Sequence, residues 1–468
     1  MTPLFGRVLD SLDRRMGVRK DLRALGSKVF PAHWSFLLGE VALVSFAVLL
    51  ATGVFLAFFY RPSIDPVLYE GSAALYQGRT VPAAFDSILR LSHDVPGGLL
   101  MRRIHRAASH VFVAAMLAHF LRIILTGAFR RPRDVNYLVG SVLMVAVVIQ
   151  GYTGHNLPWD VLAGTSMRIA YTFAVSIPWV GPQIATWVFG GAFPGDDIIP
   201  RMYVLHVFVL PALISGLIGL HLLLIARQSH TQTPRPGVDA SATVVGDPLW
   251  PNQAAKSTTM ALGLVSILAT SAVLVPWSDL DLHGPFQVGH TTNAAQPDWF
   301  LFWVEGALRL YPGLDIHIPG GALTGPFIVG VAFPLLWMLL IALYPVIERR
   351  LTGDAGHHDA LQHPLDVPAR AGLVAGALTM MAVLTVAAGN DIIARLLGAP
   401  TEAVVVALRI LLFTAPPAVG VAVAAYARRQ PRRWVEPAPA RNGHSAPAGD
   451  GHSAPARDDG ARAEEVTG

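Results

Sequence analysis

MRRIHRAASHVFVAAMLAHFLRII (residues 101–124) and PRMYVLHVFVLPALISGLIGLHLLLIA (residues 200–226) decide the fold, because each is an apolar helix carrying two histidines about four turns apart. His105 and His119 are separated by 14 residues, His206 and His221 by 15. At about 100° and 1.5 Å per residue, 14 steps return to within about 40° of the starting face and 15 overshoot it by about 60°, each rising about 21–23 Å. Each helix therefore carries one imidazole near each face of a bilayer. Two such helices side by side offer two bis-imidazole sites, one above the other, an arrangement suited to two six-coordinate haems within electron-transfer distance. A single transmembrane histidine is most simply a polar group bonded to a neighbouring helix, but polar side chains inside a membrane are costly. Four at two matching intervals need a common cause. His110, off the face of His105, and His155 read as structural.

Working outward, the composition agrees. Of 468 residues, 53% are hydrophobic and 14% charged, with a mean hydropathy of +0.48, the profile of an all-α integral membrane protein. The chain has no cysteine, which excludes disulfides, iron–sulfur ligation by its own residues and covalent attachment of a c-type haem. Histidine alone must hold any haem. The net charge of +4 comes from basic residues at helix ends rather than from one patch, which argues for membrane topology and against nucleic acid.

Eight segments reach the roughly 20 apolar residues that a span requires, at about 37–60, 100–126, 136–157, 202–226, 257–276, 323–345, 370–388 and 402–426. The segments after the second, fourth, sixth and eighth spans carry Arg130, Arg131 and Arg133; Arg227 and Arg235; Arg349 and Arg350; and Arg428, Arg429, Arg432 and Arg433. The positive-inside rule makes these cytoplasmic, with both termini. His105 and His206 then lie near the outer face, and His119 and His221 near the cytoplasm. The expected organisation is a retained amphipathic lead-in (1–36), a dihaem four-helix bundle (37–230) with an outer loop at 158–200, a C-terminal four-helix region (231–430) with a long outer loop at 277–322, and a disordered tail (431–468) in which GHSAP occurs twice. Long outer loops on a rigid scaffold are where chemistry is expected.

Glycine repeats the histidine interval. Gly39 and Gly53 are 14 apart in the first span, and Gly140 and Gly154 are 14 apart in the third, which places a side-chain-free surface at both haem levels. Arg102, Arg201 and Arg122 each sit within about a turn and a half of a proposed ligand, where they can pair with anionic haem propionates.

Two further motifs, GHNLPWD at 154–160 and QPDWF at 296–300, complete a pattern. With the four histidines, the four glycines and Arg201, they make the chain resemble cytochrome b of the quinol:cytochrome c oxidoreductase (cytochrome bc) complex, in its actinobacterial form, over roughly residues 28–430. The resemblance implies a low-potential haem on His105 and His206 and a high-potential haem on His119 and His221, the pairing that topology gives independently. It sets QPDWF where the family has a Pro-Glu-Trp-Tyr element at the quinol oxidation site, so that Pro297, Trp299 and Phe300 line the pocket. Asp298 then accepts a proton as quinol is oxidised, with Glu305 as a second acceptor. Asp298 also suits a helix N-cap. For a second quinone site near the cytoplasm the resemblance points to Lys256 and His230; Ser257 stands where mitochondrial relatives have aspartate.

The expected protein is thus a subunit that oxidises quinol, by analogy menaquinol, near the outer face and releases protons there. One electron passes to a Rieske iron–sulfur subunit and the other crosses the membrane through two b-type haems to the second quinone site. Implied partners are the Rieske subunit, a c-type cytochrome, membrane lipid, a second copy of the chain and, as a further candidate, a terminal oxidase. Two rivals remain open at this point: a dihaem anchor for another quinone-linked oxidoreductase, and a haem-free transporter using the histidines as a proton relay.

Overall fold

The computed structural model describes residues 33–277, 280–289 and 296–434, with part of the stretch from 13 to 31. The tail from 435 onward and most of the amphipathic lead-in lie outside the described residues. Eight helices are long and apolar enough to cross a membrane: Trp34–Ala57, Gly98–Leu125, Asp134–His155, Ile198–Gln228, Leu249–Leu274, Gly325–Thr352, Pro368–Ala387 and Thr401–Arg428. These are referred to below as the first to eighth spans. The protein is an all-helical, multi-pass membrane protein. Its small sheets are two-stranded ribbons in the connections.

The first span packs on the second and the fourth on the third, which brings the two histidine-bearing helices into one bundle with the two glycine-bearing ones. The fifth span lies against the first and second, and the sixth against the third. The seventh and eighth form a separate tight pair. They cross on glycine, as small residues allow in membranes: a Cβ on Gly372 would meet the Gly420 carbonyl oxygen at 2.5 Å.

The fifth span begins eight residues before its expected start, because a kinked turn at Leu249–Gln253, with Trp250 in extended backbone, leads into the helix Ala254–Leu274. A π turn, Leu205–Val209, interrupts the fourth span at His206. Its cause is legible in the chain. Within this turn the Leu210 amide bonds to the Leu205 carbonyl, and Pro211 has no N–H to give to the carbonyl of His206. That carbonyl must find a donor outside its own helix.

The connections expected on the outer side fold back on the bundle as short helices, and the end of the bundle that carries them is called outer below. Val161–Val175 starts where the Asp160 carboxylate accepts from the Ala163 amide at 2.8 Å, a side-chain N-cap, and Gly181–Phe189 follows it. Trp159, Met167, Phe189, Ile198 and Phe286 form the core beneath them. The later connection carries the helix Phe302–Leu310 and a ribbon pairing Ile316–Ile318 with Gly321–Leu323. At the other end of the bundle, Val29–Pro31 pairs with Gly246–Pro248. There too Arg130 and Arg133 bind His358, Asp359 and Ala360 on the segment after the sixth span.

Candidate functional site

The four histidines meet in two pairs, each drawn from two helices. His105 and His206 have ring centroids 6.4 Å apart with planes at 71°; His119 and His221 are also at 6.4 Å, with planes at 78°. Two metal–imidazole bonds of about 2 Å, plus about 1.1 Å from each nitrogen to its ring centre, set the centroids of a bis-imidazole iron site roughly 6 Å apart. The residues present therefore fit a haem at each level.

The hydrogen bonds of the outer pair fix which nitrogen is free. Thr52 Oγ1 donates its proton to the Val48 carbonyl at 2.7 Å, so at 2.9 Å it can only accept from His105 Nδ1. His206 Nδ1 lies 3.0 Å from the Gln150 carbonyl, which can only accept. Both rings thus carry hydrogen on Nδ1 and leave the Nε2 lone pair for a metal. Gln150 reaches back as well: its Nε2 donates at 2.9 Å to the His206 carbonyl that Pro211 left without a donor. In the inner pair, Nδ1 of His119 and of His221 are buried without a hydrogen-bond partner.

Each predicted glycine faces one ligand. A Cβ on Gly154 would lie 2.4 Å from His206 Cε1, on Gly39 3.2 Å from His119, on Gly53 3.4 Å from His105 and on Gly140 3.8 Å from His221. The arginines divide. Arg122 is buried, its Nε on Ser35 Oγ at 3.3 Å and its Nη2 without a partner, so a donor is left for an anionic group. Arg102 reaches Ser92 Oγ at 2.7 Å. Arg201 turns toward the outer loop, onto the Thr186 carbonyl at 3.1 Å, the Trp187 carbonyl and the Asp197 carboxylate.

The QPDWF motif lies against the outer end of the second and third spans. Asp298 holds the N-cap position of Trp299–Leu301, yet its side chain makes no cap bond. Both carboxylate oxygens go instead to the guanidinium of Arg106, one of them at 3.1 Å, and His155 Nδ1 stands 3.7 Å from Oδ2. His155 Nε2 is buried and unpartnered. The Trp299 indole donates to His110 Nδ1 at 3.1 Å. Pro297, beside Asp298, is half-buried, and Phe300 is buried against Gly151, where a Cβ would come within 2.8 Å of the ring. Glu305 accepts from Arg309 at 2.9 Å, and Arg309 is shared with Asn390 and Asp391. His110 and His155, read from the sequence as structural, both lie beside the motif. Sequence reasoning missed Arg106, whose one visible signal was a third arginine, after Arg102 and Arg103, immediately following His105.

At the inner end, His230 packs on Phe30 with ring centres 4.8 Å apart, and its Nδ1 is buried without a partner. Burial first, then Lys28, Arg133 and Arg122, push its pKa down to about 4. Lys256 is half-exposed and bound to Asp247. Its neighbour Ser257 donates at 2.6 Å to Glu40 of the first span.

Comparison with known proteins agrees with this geometry. A family model described as cytochrome b (N-terminal)/b6/petB matches residues 110–281. The cytochrome bc1 complex cytochrome b subunit of Mycobacterium leprae is 41% identical over 392 residues, covering 84% of this chain and 71% of the relative. That of Streptomyces coelicolor is 39% identical over 419 residues, with 88% and 76% covered. A solved structure titled hyperthermophilic respiratory Complex III superposes with a TM-score of 0.64 at 19% identity, over 89% of this chain and all of that one, and shares the fold. On the identity and coverage of these relatives, the chain belongs to the cytochrome b subunits of the cytochrome bc1 complex, in their actinobacterial branch.

Proposed function

We propose that this chain is the dihaem subunit of a bacterial quinol:cytochrome c oxidoreductase. It oxidises quinol, menaquinol by analogy, beneath the outer loops, and reduces a second quinone near the cytoplasm. The observation that carries the reading is the pair of imidazole couples at 6.4 Å, each histidine faced by a glycine of the neighbouring span. Bound there, two haems would supply one-electron carriers at two depths of the bilayer.

The chain's own residues would hold and position. His105 and His206 present Nε2 at the outer level, and His119 and His221 do so at the inner. Arg122 offers its unpartnered donor to an inner propionate; Arg102 and Arg201 would have to shift donors from protein acceptors to serve outer propionates. At the outer end, Asp298 and Glu305 would accept quinol protons, and each already holds an arginine. Accepting a proton then means loosening that pair. Pro297, Trp299 and Phe300 wall the pocket and exclude water.

Because the chain has no cysteine, the Rieske cluster and the c-type haem would come from partner subunits. A two-fold dimer, and a terminal oxidase as a further partner, follow from the family reading. Both termini would face the cytoplasm.

Two measurements test this. Pyridine haemochrome analysis of the gently extracted complex should give two b haems per chain; none would leave a transporter. Asp298→Asn combined with Glu305→Gln should reduce quinol:cytochrome c turnover by roughly a hundredfold or more, the scale of losing acid–base catalysis. Unchanged turnover would favour a dihaem anchor.

A further inference from the structure

The first span carries an acidic side chain inside the membrane. Glu40 belongs to the first span, about 9 Å along the helix from Trp34 at a rise of 1.5 Å per residue. It follows directly on Gly39, the glycine that touches the His119 ring, and so lies at the level of the inner pair. Its oxygens take two neutral donors from the start of the fifth span: Gln253 Nε2 to Oε1 at 2.9 Å and Ser257 Oγ to Oε2 at 2.6 Å. Among the described residues no cation pairs with it. This sets it apart from Asp298 and Glu305, which both hold arginines, and from Lys256, which is turned to Asp247. An intramembrane carboxylate without a counter-ion is expensive to keep and is a functional hypothesis by default. Gln253 and Ser257 fix its orientation, and their hydroxyl and amide can adjust to either protonation state.

We propose that Glu40 is the proton donor of the second quinone site, supplied from the first span to the position beside Ser257. This rests on the functional reading above. Reduction of a quinone to quinol consumes two electrons and two protons. The electrons arrive singly from quinol oxidised at the outer site. Glu40 gives its carboxyl proton to one quinone oxygen, becomes carboxylate and is reprotonated from cytoplasmic water; the second proton comes from the same water to the other oxygen. His230 and the rings of Phe30 and Phe36, next to the inner end of the first span, supply an apolar wall with one unpartnered imidazole nitrogen.

The test uses the whole detergent-extracted complex, with re-oxidation of pre-reduced b haem by a soluble menaquinone analogue as readout. Glu40→Gln should slow re-oxidation at least tenfold at unchanged haem content. The double variant Glu40→Gln, Ser257→Asp, which returns a carboxylate to the same hydrogen-bonded position from the fifth span, should recover to within about threefold of the unmutated rate. Redox-difference infrared spectra should lose a carboxyl band in Glu40→Gln and regain one in the double variant. Re-oxidation at the unmutated rate in Glu40→Gln would overturn the proposal. So would a slow double variant with full haem content, because Glu40 would then serve packing alone. If quinone fails to re-oxidise the haem of the unmutated complex, the functional reading falls and takes this inference with it.

Discussion

The outer and inner histidine pairs have the same ring separation and different supports. Outside, Thr52 and the Gln150 carbonyl hold both Nδ1 atoms, and a π turn directs a freed carbonyl onto the same glutamine. Inside, neither Nδ1 closes a hydrogen bond, the His221 ring having only the Asn136 backbone beside it, and the free donor nearby belongs to Arg122. The outer rings take their orientation from the protein. The inner rings would take theirs from the macrocycle clamped between them and from the anion that Arg122 receives. Partners behind a ligand commonly change metal affinity by about 10–100-fold, so the outer site should fill first and tolerate less change around it.

The largest expected effect comes from removing a ligand. His206→Leu should abolish the outer haem and His221→Leu the inner one, each halving haem per polypeptide by pyridine haemochrome assay. If either variant loses both haems, the two sites are one cooperative unit and the contrast between them fails. Next in size is the glycine pair. Gly154→Ala forces a methyl group to within 2.4 Å of the His206 ring and should lower outer haem occupancy severalfold, whereas Gly140→Ala, at 3.8 Å from His221, should leave the inner haem in place. Absorbance spectra that resolve the two b haems read both outcomes.

Gln150→Leu keeps volume and removes the amide that holds the His206 carbonyl. Outer haem affinity should fall by about tenfold, at the low end of the second-layer range, with a shift in the outer midpoint potential and none in the inner. An equal shift in both would mean that Gln150 sustains the bundle rather than one ligand. The smallest effect concerns His230, outside the spans. Its pKa is lowered in the folded protein to about 4 from 6.5, so the stability it contributes is fully present above pH 6.5 and is lost as pH falls toward 4. The melting temperature should decline across that window, and His230→Phe should flatten the decline. A slope unchanged by the substitution would assign the acid sensitivity to other groups.

The chain declares its spans and ligands because both are periodic. Hydropathy over about 20 residues and an interval of 14 or 15 are one-dimensional signals, and the four glycines share them. The pairing of His105 with His206 and of His119 with His221 followed from topology alone and matches the ring contacts. Contacts that cross between distant segments carry no such period. Arg106 meets Asp298 across 192 residues, and Ser257 meets Glu40 across 217. Neither is visible until the helices are packed. Asp298 illustrates the limit: its N-cap position was legible from local sequence, but the arginine that takes its oxygens was not. Pro211 is an intermediate case: in a regular helix it would remove the donor for the Val207 carbonyl, and only the π turn shifts that loss to His206.

The ribbon between Val29–Pro31 and Gly246–Pro248 has a consequence for how the molecule is made. Lys28 bonds the Ala226 carbonyl at 2.8 Å, and its own carbonyl accepts from Leu249 at 2.8 Å, so the lead-in to the first span latches only onto chain emerging some two hundred residues later. At about 5–20 residues per second, a ribosome leaves that latch open for roughly ten to forty seconds after the first span is made. The outer imidazole pair needs only chain up to His206, while the proposed inner quinone site, with Glu40, His230 and Gln253, needs the fifth span to have begun. Biogenesis would therefore have an order, with the inner site the later of the two to form.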